Sequence, residues 1–129
     1  MSDQQKHILC IDDEPDMLEL LTIILKRTGV KVSGANNGLD GLRMIDELKP
    51  DLVILDLMMP IMGGWEVYQQ IKADENIRHI PVIIVTAKAQ QVDRVLGIHI
   101  AKVEDYITKP FSPSELVASV TRVLNKQQE

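Results

Sequence analysis

Leu52-Val53-Ile54-Leu55-Asp56 is the stretch that decides how this chain folds. Four apolar residues in a row, without alternation, read as a strand buried on both faces, and such strands belong to parallel sheets. A carboxylate follows at once. The pattern recurs elsewhere: Ile8-Leu9-Cys10-Ile11 ends in Asp12-Asp13, Val82-Ile83-Ile84-Val85 in Thr86, and Tyr106-Ile107-Thr108 in Lys109-Pro110. In an open parallel sheet the ligand crevice lies beyond the carboxyl ends of the strands. Three carboxylates, a hydroxyl and an ammonium are therefore expected to converge at one edge. Carboxylates crowded together need a cation, and all-oxygen ligation favours a hard ion such as Mg²⁺. A carboxylate beside a metal and a lysine is suited to accept a phosphoryl group.

Working outward, strand and helix alternate five times. After the strand at 7–11, Pro15 to Lys26 carries Met17, Leu18, Leu21, Ile24 and Leu25 at helical spacing, and Gly29 marks the end of that helix. Val30 to Ala35 reads as a shorter, more exposed strand. Leu39 to Leu48 gives a second helix, stopped before Pro50. Met58 to Gly64 is a loop, and Trp65 to Ala73 a third helix. Pro81 opens the fourth strand. Gln90 to Ile100 is a more weakly periodic helix, 105–108 a fifth strand, and Pro113 to Asn125 the last helix. Ser112, Pro113 and Glu115 form a capping box at its start. Such βα alternation with right-handed crossovers gives a doubly wound sheet. One domain is expected, over 5–126.

The bulk properties agree. The 129 residues suffice for one core, and 45% hydrophobic with 26% charged residues is a globular composition. A net charge of -5 argues against direct nucleic-acid binding by this domain. No apolar stretch approaches a membrane span and no signal-peptide pattern precedes His7, so the cytoplasm is the expected compartment. Cys10 falls in an apolar strand and reads as a buried, inert thiol.

Taken singly, several of these residues have plainer readings. Asp12 and Asp13 equally fit caps for the helix that Pro15 opens. Thr86 alone fits a strand-end hydroxyl, Lys109 a surface lysine, and Tyr106 a half-buried strand aromatic. Met58, Met59 and Met62 fit soft loop packing better than ligation of a hard ion. His7, His79 and His99 have no metal-ligand spacing. The joint placement, each polar residue at the same end of its own strand, favours a shared site.

The segments IDDEP (11–15), VILDLMMPIMGG (53–64), PVIIVTA (81–87) and DYITKPF (105–111) resemble the receiver domain of two-component response regulators, in order and spacing, across essentially the whole chain. The resemblance implies a flavodoxin-like α/β fold: a five-stranded parallel sheet in the order 2-1-3-4-5 with five helices. It implies Asp56 as phosphoacceptor, with Thr86 and Lys109 assisting. It implies Mg²⁺ held by Asp12, Asp13, Asp56 and the backbone carbonyl of Met58. Thr86 and Tyr106 match the family's switch pair, and Lys109-Pro110 a bond that is usually cis there. The residues two places after the acceptor and after the switch hydroxyl, Met58 and Lys88, flank the water that removes the phosphoryl group.

QVDRVLGI and KPFSPSELVASV resemble the subfamily whose receivers carry a winged-helix DNA-binding domain. Three positions depart from the pattern. Gly63 stands where Asp is frequent, Lys102-Val103 where Gly-Ala is usual, and Ser119 where that subfamily often has Arg. The last two lie on the output face formed by the helix over 90–100, the fifth strand and the last helix, and argue for a monomer or a weak phospho-dependent dimer. The implied function is a phosphorylation-dependent switch rather than a turnover enzyme. Its partners are a sensor histidine kinase or phosphotransfer protein, and a downstream effector or an output domain outside this sequence. A haloacid-dehalogenase-type phosphatase fits less well, because Glu14 breaks its D-x-D pattern. A flavodoxin fits less well because IDDEP repels a phosphate.

Overall fold

A computed structural model of the protein describes residues 5–87 and 103–126. The strands are β1 (His7–Ile11), β2 (Lys31–Ala35), β3 (Leu52–Leu55), β4 (Val82–Thr86) and β5 (Asp105–Thr108). They form one sheet in the order β2-β1-β3-β4-β5, and every neighbouring pair is parallel. Four helices lie among the described residues: α1 (Pro15–Lys26), α2 (Gly38–Leu48), α3 (Gly64–Ala73) and α4 (Pro113–Lys126). The helix expected over 90–100 lies outside the described residues. No described helix is long and apolar enough to cross a membrane.

Parallel strands alternate their side chains between two faces, and each face here has its own core. Ile8, Cys10, Ile54, Ile83, Val85 and Ile107 pack with Leu21, Ile24 and Leu25 of α1 and with Leu116, Val120 and Val123 of α4. Leu9, Ile11, Val53, Leu55, Val82 and Ile84 pack on the other face, with Ile45 of α2 and Val67, Tyr68 and Ile71 of α3. The sheet is thus covered on both sides, as continuous apolar strands require. Cys10 is fully buried, and burial pushes its thiol up to about 12, so it is chemically quiet.

Local chemistry sets the element ends. Pro15 sits at the start of α1, and Gly29 adopts a left-handed φ of +89° just beyond its end. Asn37 caps α2, its side chain accepting from the Asp40 N–H at 2.8 Å. The Ser112 hydroxyl accepts from the Glu115 N–H at 3.1 Å, the first half of the expected capping box.

Gly64 is required by close approach rather than by φ. A Cβ there would lie 2.6 Å from Leu57 Cα and collide with the Asp56 carbonyl, whereas at Gly63 the nearest atom would be 3.6 Å away. Gly64→Ala should therefore destabilise the fold by about 2–3 kcal/mol through backbone displacement beside Asp56, while Gly63→Ala stays within about 0.5 kcal/mol. Urea denaturation of the two variants measures both; equal losses would show that the Gly64 contact relaxes without cost.

Candidate functional site

The polar residues reach one edge because the sheet's hydrogen-bond ladder runs a step past its strands. The Asp12 N–H donates to the Ala35 carbonyl at 3.1 Å, Asp56 N–H to Ile11 at 3.0 Å, and Lys109 N–H to Thr86 at 3.0 Å. Backbone pairing thus fixes where each side chain departs. Asp12 and Asp56 are then aimed by the same device. Asp12 Oδ1 accepts from the Glu14 N–H at 3.0 Å, and Asp56 Oδ1 from the Met58 N–H at 3.1 Å. Each is an Asx-type turn, a carboxylate bonding the backbone two residues on. The second oxygens face Lys109: Oδ2 of Asp12 lies 2.8 Å from its Nζ, and Oδ2 of Asp56 3.5 Å. Glu14 Oε1 also lies 3.5 Å from that ammonium.

Both aspartates are buried, and so is most of the lysine, at 10% side-chain exposure. Asp13 is half-buried. One carboxylate oxygen from each of Asp12, Asp13 and Asp56 falls within 4.8 Å of the others. These three oxygens form a hard, anionic donor set whose charge exceeds what one lysine neutralises, which fits a divalent hard cation. Asp13, Glu14, Asp56, Met58, Ala87 and Lys109 line a cavity of about 180 Å³ at this edge.

The electrostatics reflect the excess of negative charge. Burial raises the Asp56 carboxyl above its ordinary value, and the Asp12 charge adds to this; the Met58 N–H and Lys109 oppose it without prevailing. For Lys109, burial pulls downward, but the Asp12 hydrogen bond and the charges of Asp56, Asp12 and Glu14 outweigh it, and the ammonium is held above its ordinary range.

Thr86 ends β4, with its hydroxyl fully buried and without a hydrogen-bond partner among the described residues. Strand alternation puts its side chain on the face of Ile84, the face against which half-buried Tyr106 packs. The Lys109-Pro110 peptide is cis. Lys88 lies outside the described residues. Of the loop methionines, Met59 is buried and Met62 packs against the same core, as loop packing would have them. Met58 instead is exposed beside the acidic cavity.

A family model of the response regulator receiver domain matches residues 8–121. The chain belongs to the response regulator receiver domain family. The DNA-binding response regulator MtrA of Mycobacterium tuberculosis is 40% identical over 129 residues, all of this chain and 55% of that protein. The alkaline phosphatase synthesis transcriptional regulatory protein PhoP of Bacillus subtilis is 38% identical over 123 residues, 95% of this chain and 50% of the relative. The chain therefore spans about half the length of these curated relatives. Among solved structures, the receiver domain of sensor histidine kinase PA1611 from Pseudomonas aeruginosa superposes with a TM-score of 0.85 at 29% identity, covering 95% of this chain and 99% of that one. That receiver is described with a magnesium ion coordinated in its active-site cleft.

The receiver's sequence-predicted residues Asp12, Asp13, Asp56, Met58 and Lys109 come together at one edge. Asp12 does not use its side chain as a helix N-cap in the usual sense: Glu14 occupies the cap of α1 without a side-chain cap bond, and Asp12 turns back to Lys109. Two features escaped the sequence reading. Glu14 is a third carboxylate on Lys109. Ser119, expected as a departure on the output surface, is buried and donates to Asp105 Oδ2 at 2.6 Å, where Arg122 also pairs at 2.6 Å. Burial alone would raise the Asp105 carboxyl; the Ser119 and Arg122 hydrogen bonds outweigh it and hold the group below its ordinary range.

The Asp56 shift has a stability consequence. A carboxyl raised in the folded state favours folding most when protonated, below its unfolded value, and that contribution is lost as pH rises through the folded value. In metal-free buffer near pH 7, Asp56→Asn should thus be more stable than the parent, by roughly 1 kcal/mol. The gap should close as pH falls toward the carboxyl's unfolded value of 3.8. Thermal melts across this range check the sign; a variant less stable than the parent at neutral pH would contradict it.

Proposed function

We propose that this receiver domain is a phosphorylation-dependent switch whose Asp56 accepts a phosphoryl group from a phosphohistidine on a sensor histidine kinase or phosphotransfer protein. The observation that carries the reading is the Asp56 carboxylate itself: buried at the sheet edge, one oxygen fixed by the Met58 N–H, the other facing Lys109. Oδ2, the oxygen not tied to the backbone, attacks phosphorus, and the P–N bond to the imidazole breaks as the P–O bond forms. Lys109 neutralises charge on the phosphoryl oxygens in a loose transition state. Asp12, Asp13, Asp56 and the Met58 carbonyl would hold Mg²⁺, which supplies further charge neutralisation at the phosphoryl oxygens.

The Thr86 hydroxyl, buried and without a partner among the described residues, supports the switch half of this reading. A buried hydroxyl without an acceptor is costly, and a phosphoryl oxygen at Asp56 would give it one. Thr86 moving toward the phosphoryl group vacates space on its face of the sheet, into which Tyr106 turns. The output face would include β5, α4 and the segment 90–100, acting on an output domain or a separate effector, as the relatives' description as DNA-binding regulators suggests. Asp105 is already satisfied by Ser119 and Arg122 within the chain, which supports a monomer or a weak phospho-dependent dimer. The domain is a switch and not a turnover enzyme.

Incubation with acetyl phosphate and Mg²⁺ should add one phosphoryl group, labile to hydroxylamine as an acyl phosphate is, and Asp56→Asn should take up none. Mg²⁺ should also raise the melting temperature of the parent by binding the folded state, and less so in Asp13→Ala. Undiminished labelling of Asp56→Asn would falsify the assignment.

Lifetime follows from Met58 and Lys88. A thioether cannot orient an attacking water as an amide or carboxylate does. By the family resemblance, a lysine two places after Thr86 would pair with the phosphoryl oxygens and stabilise the phosphorylated ground state. The phosphoryl group should therefore persist, and replacing Met58 by Asn together with Lys88 by Glu should speed its loss about tenfold, or about 1.4 kcal/mol of barrier. Mass-spectrometric decay in Mg²⁺ buffer reads this directly; a double variant no faster than the parent would exclude both side chains from control of the water.

A further inference from the structure

Glu14 has no task in the phosphoryl transfer described above, yet it is firmly placed. Its carbonyl accepts from the Met17 and Leu18 N–H groups at 3.1 Å, and its own N–H donates to Asp12. The backbone is thus tied on both sides while the side chain stays 65% exposed. That side chain lines two adjoining spaces: the acidic cavity of Asp56 and Lys109, and the surface depression formed with Asp16, Met17 and Leu20. It stands at the mouth of the site. A negative charge at the start of a helix is favourable in itself, and this accounts for an acidic residue at the cap. It does not account for the 3.5 Å approach of Glu14 Oε1 to Lys109 Nζ. Among the described residues, Glu14 brings the carboxylates at the site to four against the one ammonium of Lys109.

We propose that Glu14 is a specificity-determining residue that selects phosphodonors by charge. Its carboxylate repels small dianionic donors at the mouth and occupies Lys109 until phosphoryl oxygens displace it. A donor of lower net charge suffers less, and a donor presented by a protein brings contacts of its own to offset the repulsion. Glu14 therefore favours N–P donors on a partner over free acyl phosphates. The inference rests on the phosphoacceptor reading of Asp56. The chemistry balances with either small probe: Asp56 attacks phosphorus and acetate leaves from acetyl phosphate, or ammonia leaves from phosphoramidate, taking its proton from its own ammonium form.

Acetyl phosphate is a dianion near neutral pH and phosphoramidate a net monoanion, which makes the test quantitative. Initial rates of Asp56 labelling are measured with each donor, below saturation, in Mg²⁺ buffer at low ionic strength. Glu14→Gln should speed labelling by acetyl phosphate about fivefold. Because the Coulomb energy scales with donor charge, the gain with phosphoramidate should be about its square root, roughly twofold. Both gains should collapse toward unity near 1 M salt, where the screening length falls to about 3 Å. Glu14→Asp, which keeps the charge, should stay near the parent. In the metal-free protein the Lys109 Nζ resonance should move in Glu14→Gln and much less in Glu14→Asp. Equal gains for the two donors, gains that survive high salt, or an unmoved Lys109 signal would overturn the proposal while Asp56 labelling of the parent stands. If neither donor labels the parent at all, the phosphoacceptor reading fails, and the role of Glu14 with it.

Discussion

One ammonium, Lys109 Nζ, holds the carboxyl edge of the sheet together. Asp12 and Asp56 are both buried there, and Glu14 reaches in from the rim. Taking a charge out of water costs several kcal/mol even after relaxation, and an ion pair repays this only with good geometry and further hydrogen bonds. Asp12 meets that standard, with Lys109 at 2.8 Å and the Glu14 N–H at 3.0 Å. Asp56 meets it only in part, because its lysine contact is 3.5 Å and Asp12 is already close to the same ammonium. Burial raises the Asp56 carboxyl, and the Met58 N–H and the longer Lys109 contact do not offset it. Negative charge therefore exceeds what Lys109 alone neutralises; the proposed divalent cation would relieve that excess, whereas a phosphoryl group on Asp56 would add negative charge that the cation and Lys109 must meet. A strained charge cluster is tolerable because the sheet below it is buried on both faces.

The cluster keeps its shape through backbone rather than side-chain packing. Ladder bonds continue past β1, β3 and β4–β5 to the N–H groups of Asp12, Asp56 and Lys109. Two Asx-type turns then select one oxygen on each aspartate for the backbone and leave the other for the lysine. Such fixation matters for group transfer, where the gain from orientation is lost with small displacements. It also explains why Gly64 is confined: the start of α3 passes directly over the Asp56 and Leu57 backbone.

Much of this was legible in the sequence because the strands speak plainly. Three unalternated apolar runs fix β1, β3 and β4; the shorter Tyr106-Ile107-Thr108 fits β5, which buries only Ile107 at the sheet's edge, and a polar residue after each strand marks the carboxyl edge. Pro15 and Gly29 bracket α1, and its bounds match the helical spacing read from Met17 to Leu25. The ambiguity over Asp12 is tertiary in origin, since a cap and a lysine partner look alike until the chain brings residue 109 beside residue 12. The same holds for Asp105 with Ser119 and Arg122, whose partnership depends on which side of β5 faces α4. Glu14 is hard to read for a different reason: an acidic residue before a helix-opening proline has an adequate local explanation, and nothing local signals its contact with Lys109. Among Met58, Met59 and Met62, the loop's path alone decides which one faces the cavity.

The two faces of β5 differ in a way that bears on how a charge at Asp56 would reach the surface. On one face Asp105 is bound to α4 by Ser119 and Arg122, while its Oδ1 accepts from the Tyr106 N–H at 2.8 Å. Three donors on one carboxylate anchor the strand's backbone to the helix. On the other face lie the buried Thr86 hydroxyl, which lacks an acceptor among the described residues, and the half-buried Tyr106 ring. Ile107 points back to the anchored side, into the core with Leu116 and Val120. A strand held on one face cannot shift as a body at low cost, so rearrangement is channelled into side chains on the other. In the proposed switch, a new acceptor at Asp56 would therefore move Thr86 and Tyr106 rather than displace β5. The Asp105 anchor, by keeping the strand still, would be what turns a small hydroxyl movement into a directed one.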